Sequence, residues 1–87
     1  MQELKDIRDE IDKIDDEILK LLNKRMEYVK NIGFIKQNEN IYVPKREKDI
    51  LDNLFLKNKG PLEDCDIEKI YQNIFEISKK IESAYKK

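Results

Sequence analysis

Apolar residues recur every three or four positions over the first 36 residues, and this spacing constrains the fold more than any other feature. It predicts one long α-helix from residue 3 to about residue 36, with a heptad seam along one face. The seam consists of Leu4, Ile7, Ile11, Ile14, Ile18, Leu21, Tyr28, Ile32 and Ile35. Such a helix is about 50 Å long, which exceeds the width of a compact domain of this size. We therefore expect it to project beyond its own core, with a second copy of the chain as the simplest cover.

The rest of the chain predicts two more helices. Residues 37–43 are mostly polar and predict a loop, and Pro44 suits the first turn of a short helix over residues 44–57. Gly60-Pro61 marks a break, and a third helix follows to about Tyr85, with Asp64 or Asp66 as its N-cap. No strand-like alternation, repeat or linker is present. The expected fold is all-α, a single domain over residues 1–87 with long, short and long helices.

Composition excludes several classes of function. The net charge of −1 gives no electrostatic basis for binding nucleic acid or an anionic membrane. Because the chain has no histidine, histidine catalysis and histidine metal ligation are excluded. The single cysteine, Cys65, cannot form an intrachain disulfide and suits a reducing compartment. With no signal-peptide pattern and no apolar run long enough to span a bilayer, we expect a cytoplasmic protein.

Three cations are candidates for an anion site. Arg25 occupies a seam position where the pattern requires an apolar residue, and a buried guanidinium is costly unless an anion meets it. Lys36 lies on the same face, about 16 Å further along the helix. Arg8 is about 25 Å from Arg25, so it can serve the same site only from a partner chain. The alternatives are an ion pair to another helix for Arg25, a solvated end for Lys36, and an i,i+4 pair with Asp12 for Arg8.

Four further polar residues flank the apolar faces of the second and third helices. They are Arg46, Glu47, Ser78 and Glu82. Taken singly, Glu47 is explained by the helix dipole, Ser78 by a bond to its own backbone, and Glu82 by solvation. Taken together with the cations of the first helix, they suit a small dianionic ligand.

An ordered set of motifs points to a known family. I-R-D-E-I-D-K-I-D, L-L-N-K-R, I-G-F-I-K, P-K-R-E and Y-Q-N-I-F-E-I-S-K-K-I-E follow one another along the chain. Over residues 3–85 this set resembles the all-helical chorismate mutases. The resemblance implies an intertwined homodimer of three-helix chains with two active sites. It also implies the Claisen rearrangement of chorismate to prephenate in the shikimate pathway to aromatic amino acids, without metal or cofactor.

The resemblance also implies roles for individual residues. Arg25, and Arg8 of the partner subunit, would clamp substrate carboxylates, and Ser78 would assist. Lys36 would contact a carboxylate and the ether oxygen. Arg46 would be a further site cation, and Glu47 would bind the ring hydroxyl.

Two positions depart from the best-known bacterial pattern. Val43 stands where some members have an aspartate near the ring hydroxyl, so that contact is lost or supplied by backbone. Glu82 stands where many members have a glutamine that donates to the ether oxygen. Because a carboxylic acid donates a hydrogen bond only when protonated, we expect catalytic efficiency to be highest in mild acid.

Two other functions fit the same fold. An isochorismate-pyruvate lyase is a close cousin, but Glu47 and Ser78 favour the mutase. A non-catalytic dimerisation or regulatory module of a shikimate-pathway enzyme is the second alternative, and the retained polar set argues against it.

Overall fold

The chain forms three α-helices in a computed structural model that describes residues 3–35 and 44–86. α1 spans Leu4–Ile35, α2 spans Pro44–Lys57 and α3 spans Asp64–Tyr85. No strand occurs within these two ranges. The predicted order of long, short and long helices is confirmed. α2 has the predicted bounds, α3 ends at Tyr85 as predicted, and α1 begins one residue after its predicted start. None of the described helices carries an apolar stretch of the length that a bilayer crossing requires.

The turn between α2 and α3 is organised by Asn58. Its side-chain amide donates to the Leu62 carbonyl at 2.7 Å, and its side-chain oxygen accepts from the Gly60 N–H at 3.0 Å. Gly60 has a φ of 76°, a conformation that glycine adopts without the steric cost that a Cβ would bring. The predicted break therefore coincides with a tight, hydrogen-bonded turn.

The predicted N-cap of α3 is wrong. The capping residue is Glu63, and Asp64 is already the first helical residue. Asp66, three positions beyond the cap, accepts a hydrogen bond from the Glu63 N–H at 3.0 Å. Asp66, which the sequence suggested as an N-cap, is therefore the N3 residue of a capping box. In that position it still stabilises the N-terminus of α3.

α3 is the central element, since it packs against both α1 and α2. The core is thin and lies along α3. Its buried apolar side chains are Val29 of α1 with Ile67 and Phe75 of α3. The Tyr71 ring meets Phe75 edge to face, with 5.8 Å between centroids. Such a core holds only the C-terminal half of α1 in place.

The N-terminal half of α1 projects away from this core. Its six apolar seam residues are each between 42% and 61% exposed: Leu4, Ile7, Ile11, Ile14, Ile18 and Leu21. The molecule is 57 Å long with a radius of gyration of 16.2 Å, whereas a compact chain of this length has about 12 Å. The predicted projection is confirmed, and a single chain leaves the seam exposed to water.

α1 and α3 cross in close contact at Gly33. A Cβ built there would lie 2.7 Å from the Glu82 carbonyl oxygen, closer than real Cβ atoms come. The Phe34 ring packs on Tyr85 at 5.6 Å, and the Lys30 ammonium lies 4.7 Å from the centre of the same ring. Glycine at this position therefore fixes how closely the end of α3 approaches α1.

We expect Gly33→Ala to destabilise the protein by about 1–3 kcal/mol, because the added methyl must push two backbones apart. The sign of the change in stability is informative, because replacing glycine by alanine in a helix interior would otherwise stabilise the helix by about 1 kcal/mol. Urea unfolding measures the change. Asn31→Ala, at an exposed site on the same helix, is the control and should stay within about 0.5 kcal/mol of wild type. A Gly33→Ala variant as stable as wild type would contradict the close approach.

Candidate active site

Side chains of all three helices line an open-sided pocket of about 270 Å³. This volume suits a small organic ligand. The lining residues are Arg25, Tyr28, Val29 and Ile32 of α1, Arg46, Glu47 and Ile50 of α2, and Phe75, Ser78, Lys79 and Glu82 of α3. Five of the predicted site residues therefore meet in one pocket, although they come from distant parts of the chain.

Arg25 is held in the pocket by Ser78. Its guanidinium donates to the Ser78 hydroxyl oxygen at 2.7 Å, and that hydroxyl donates its own proton to the Ile74 carbonyl at 2.7 Å. Within residues 3–35 and 44–86 no salt bridge to Arg25 is formed, so the ion-pair alternative finds no support there. The bond to Ser78 uses one of five guanidinium N–H donors. The arrangement therefore fixes the planar guanidinium of Arg25, and its remaining N–H donors can bind an anion.

α2 presents a cation and an acid from its first turn. Arg46 is exposed at the pocket edge, and Glu47 is half-buried. Glu47 Oε2 lies 3.4 Å from the Lys79 ammonium of α3. Lys79 was missed by the sequence analysis. Its position directly after Ser78 and three residues before Glu82 is the signal that could have placed it near the same face.

Glu82 is the buried acid of the site. It is only 8% exposed, and its Oε1 atom has no hydrogen-bond partner among the residues that the structure describes. The alternative of a solvated helix residue is therefore wrong. A buried polar atom without a protein partner costs free energy, so the Glu82 oxygen is a candidate for contact with a bound ligand.

One of the predicted site residues that the structure describes, Arg8, does not belong to this pocket. It is exposed on the projecting half of α1. Lys36 and Val43 lie outside the described residues, so their predicted roles stay predictions.

A second, open depression adjoins the first. Its volume is about 310 Å³, and it shares Arg25, Arg46 and Ile50 with the pocket. Arg25 and Arg46 therefore line both the pocket and the depression, and they place positive charge where the two meet.

Comparison with known proteins identifies the family. The sequence pattern of the chorismate mutase type II family matches residues 7–83 of this chain. This chain belongs to that family. The resemblance predicted from the sequence motifs is confirmed, and the all-α architecture is the one expected for the family.

Individual relatives support the assignment. A bifunctional chorismate mutase/prephenate dehydratase of Aquifex aeolicus is 42% identical over 98% of this chain, which spans 26% of the relative's length. A chorismate mutase of Methanocaldococcus jannaschii is 35% identical over 98% of this chain and 89% of its own length. The crystal structure of a Helicobacter pylori chorismate mutase in complex with prephenate superposes with a TM-score of 0.90. It is 38% identical and aligns over 94% of this chain and 91% of its own.

We expect Glu82→Met to raise the free energy of unfolding by about 1 kcal/mol, because an apolar side chain of similar shape removes the unpartnered oxygen. Urea unfolding of the ligand-free protein provides the measurement. Glu76→Met, at an exposed site on α3, is the matched control and should change stability by less than about 0.5 kcal/mol. Clear destabilisation by Glu82→Met alone would show that the carboxylate has a stabilising partner.

Proposed function

We propose that this protein is a cytoplasmic chorismate mutase, which converts chorismate to prephenate by a Claisen rearrangement in the biosynthesis of aromatic amino acids. The observation that carries the proposal is the pocket in which Ser78 holds the guanidinium of Arg25, and which Arg46, Glu47 and Glu82 also line. The binding of prephenate by the Helicobacter pylori relative supports it. Both substrate and product are small dianions, which suits two arginines.

The chemistry needs no base or nucleophile, since the rearrangement is unimolecular. It needs the flexible substrate held in the compact conformer in which the new carbon–carbon bond can form. It also needs positive charge and hydrogen-bond donors where the breaking C–O bond gathers negative charge. A pocket in which Ser78 holds Arg25, and which Arg46 and several apolar side chains also line, suits both requirements.

Five pocket residues have roles in this proposal. Arg25 binds a substrate carboxylate through its fork, and Ser78 holds that fork in place. Arg46 adds a second positive charge, and Glu47 accepts a hydrogen bond from the ring hydroxyl. Glu82, when protonated, donates to the ether oxygen.

The two residues outside the described ranges complete the proposal. Lys36 contacts a carboxylate and the ether oxygen. Val43 takes the position at which some family members have an aspartate near the ring hydroxyl, so that contact is lost or is supplied by backbone.

The alternatives are less well supported. The presence of Glu47 and Ser78 in the pocket favours the mutase over an isochorismate-pyruvate lyase. A non-catalytic module has no need of a buried acid with an unpartnered oxygen, which the pocket nevertheless retains in Glu82.

We expect the protein to consume chorismate and to form prephenate. An assay that monitors the loss of chorismate absorbance, with identification of the product, measures this. Salicylate and pyruvate, formed from isochorismate, would indicate the lyase instead. Arg25→Lys should lower kcat/KM by roughly 100-fold or more, because it retains charge but loses the bidentate fork. Lys24→Arg, at the exposed neighbouring position, is the control and should behave as wild type. Near wild-type efficiency in a folded Arg25→Lys variant would reduce Arg25 to a structural role.

We further propose a homodimer in which Arg8 reaches the pocket of the partner subunit. The exposed apolar seam of α1 supports this, because single soluble chains rarely leave so many apolar residues in a row exposed to water. The position of Arg8, about 25 Å along α1 from Arg25, requires that any contact with the same ligand come from another chain.

Subunit mixing tests this arrangement. Arg8→Ala and Arg25→Ala proteins should each be nearly inactive. A one-to-one mixture should recover about a quarter of wild-type activity, because half of the dimers are mixed and one of their two sites is intact. Each variant taken alone through the same exchange protocol is the control. A mixture that exchanges subunits, as shown by two affinity tags, and yet stays inactive would contradict the shared site.

A further inference from the structure

One ion pair of the pocket differs from the other ion pairs in the described part of the chain. Lys79 and Glu47 join α3 to α2 at 3.4 Å, with side chains 36% and 25% exposed. The others link residues of a single helix, and all their side chains are more than half exposed: Lys13 with Glu10, Lys45 with Asp49, and Lys48 with Asp52. Exposed pairs of that kind contribute little. The pair between Lys79 and Glu47 is instead part of the pocket wall.

We propose that Lys79 is a positioning and specificity-determining residue that acts through Glu47. It holds the Glu47 carboxylate in the orientation that accepts the ring hydroxyl, and it offsets the charge of that carboxylate so that the pocket admits a dianion. The inference rests on the proposed function, because it concerns the same site and the same substrate class.

The charge balance of the pocket carries the first half of the argument. Among its described lining residues, Arg25, Arg46 and Lys79 are basic, whereas Glu47 and Glu82 are acidic. Glu47 is the acid of this set whose proposed role requires a charged carboxylate, and Lys79 is the cation in contact with it. An acid beside a dianionic ligand repels it, and the repulsion is stronger in a partly buried site than in water. A cation in contact with Glu47 therefore removes a barrier to binding.

The geometry of the pair carries the second half. Oε2 of Glu47 lies 3.4 Å from the Lys79 ammonium, and an ionised carboxylate has further lone pairs that can accept from a substrate hydroxyl. The contact also ties the first turn of α2 to α3, one residue after the Ser78 that fixes Arg25. Preorganised groups accelerate a reaction more than groups that must be ordered on binding.

The test compares Lys79→Met with Lys79→Arg, each in the wild-type and Glu47→Gln backgrounds, by steady-state kinetics with chorismate at two ionic strengths. We expect Lys79→Met to lower kcat/KM roughly three- to tenfold, mainly through KM, and to weaken the salt dependence of KM. Lys79→Arg should retain most of the wild-type value, because it keeps the charge and the donor. In the Glu47→Gln background, Lys79→Met should add little further loss.

Lys48→Met is the matched control. The side-chain hydrogen bond to Asp52 raises the pKa of Lys48, so this variant also removes a full positive charge and an ion pair. Lys48 does not line the pocket, and kinetics should match wild type.

The outcomes separate the inference from the proposed function. Equal losses from Lys79→Met in both backgrounds would overturn positioning through Glu47. A loss of thermal stability with unchanged kcat and KM would reduce Lys79 to a structural residue. Kinetics unchanged from an active wild type would overturn this inference alone. A wild-type protein that neither consumes chorismate nor binds prephenate in calorimetry would overturn the proposed function, and this inference with it.

Discussion

The close backbone approach between Gly33 and Glu82 is the contact on which the rest of the structure depends. It brings the end of α3 against α1, and only a residue without a Cβ permits that distance. Two turns earlier on α1, Arg25 then meets Ser78, which lies one turn before Glu82 on α3. The Arg25–Ser78 contact precedes the Gly33–Glu82 contact along both helices. The packing of α1 on α3 that forms the thin core therefore also forms one wall of the pocket. A change at Gly33 would therefore affect the geometry of the site as well as stability.

The pocket combines a side chain whose burial costs free energy with a side chain that hydrogen bonds hold in place. Glu82 is buried with an oxygen that lacks a partner among the described residues, which lowers the stability of the free chain. Arg25, by contrast, is held through Ser78, whose hydroxyl in turn donates a hydrogen bond to the Ile74 carbonyl. A site of this kind trades stability for electrostatic preorganisation, as enzymes commonly do at the groups that meet a transition state.

The same tension is visible at the level of the whole chain. Among the residues that the structure describes, only a few apolar side chains are buried, and the longest dimension of this 87-residue chain is 57 Å. The seam on the projecting half of α1 is as regular as that of a coiled coil, and its residues are exposed. Exposed apolar area of this extent is the main unused source of stability in the molecule, since each buried methylene contributes about 0.8 kcal/mol. The core is thus thin because much of the apolar surface of α1 lies on the exposed seam and not in the interior of the chain.

The sequence by itself determined the three helices, because apolar periodicity, Pro44 and Gly60 are local signals that act within a few residues. It also marked Arg25, which interrupts the seam, and its ordered motifs placed the chain in its family. The tertiary structure alone decided that Ser78, 53 positions away, is the partner of Arg25 and that the Glu82 oxygen is buried without one. The N-cap of α3 also needed the structure, because several neighbouring acids fit the same preference. Contacts between distant positions follow from how helices cross, and helical spacing specifies the face of a residue without specifying what that face meets.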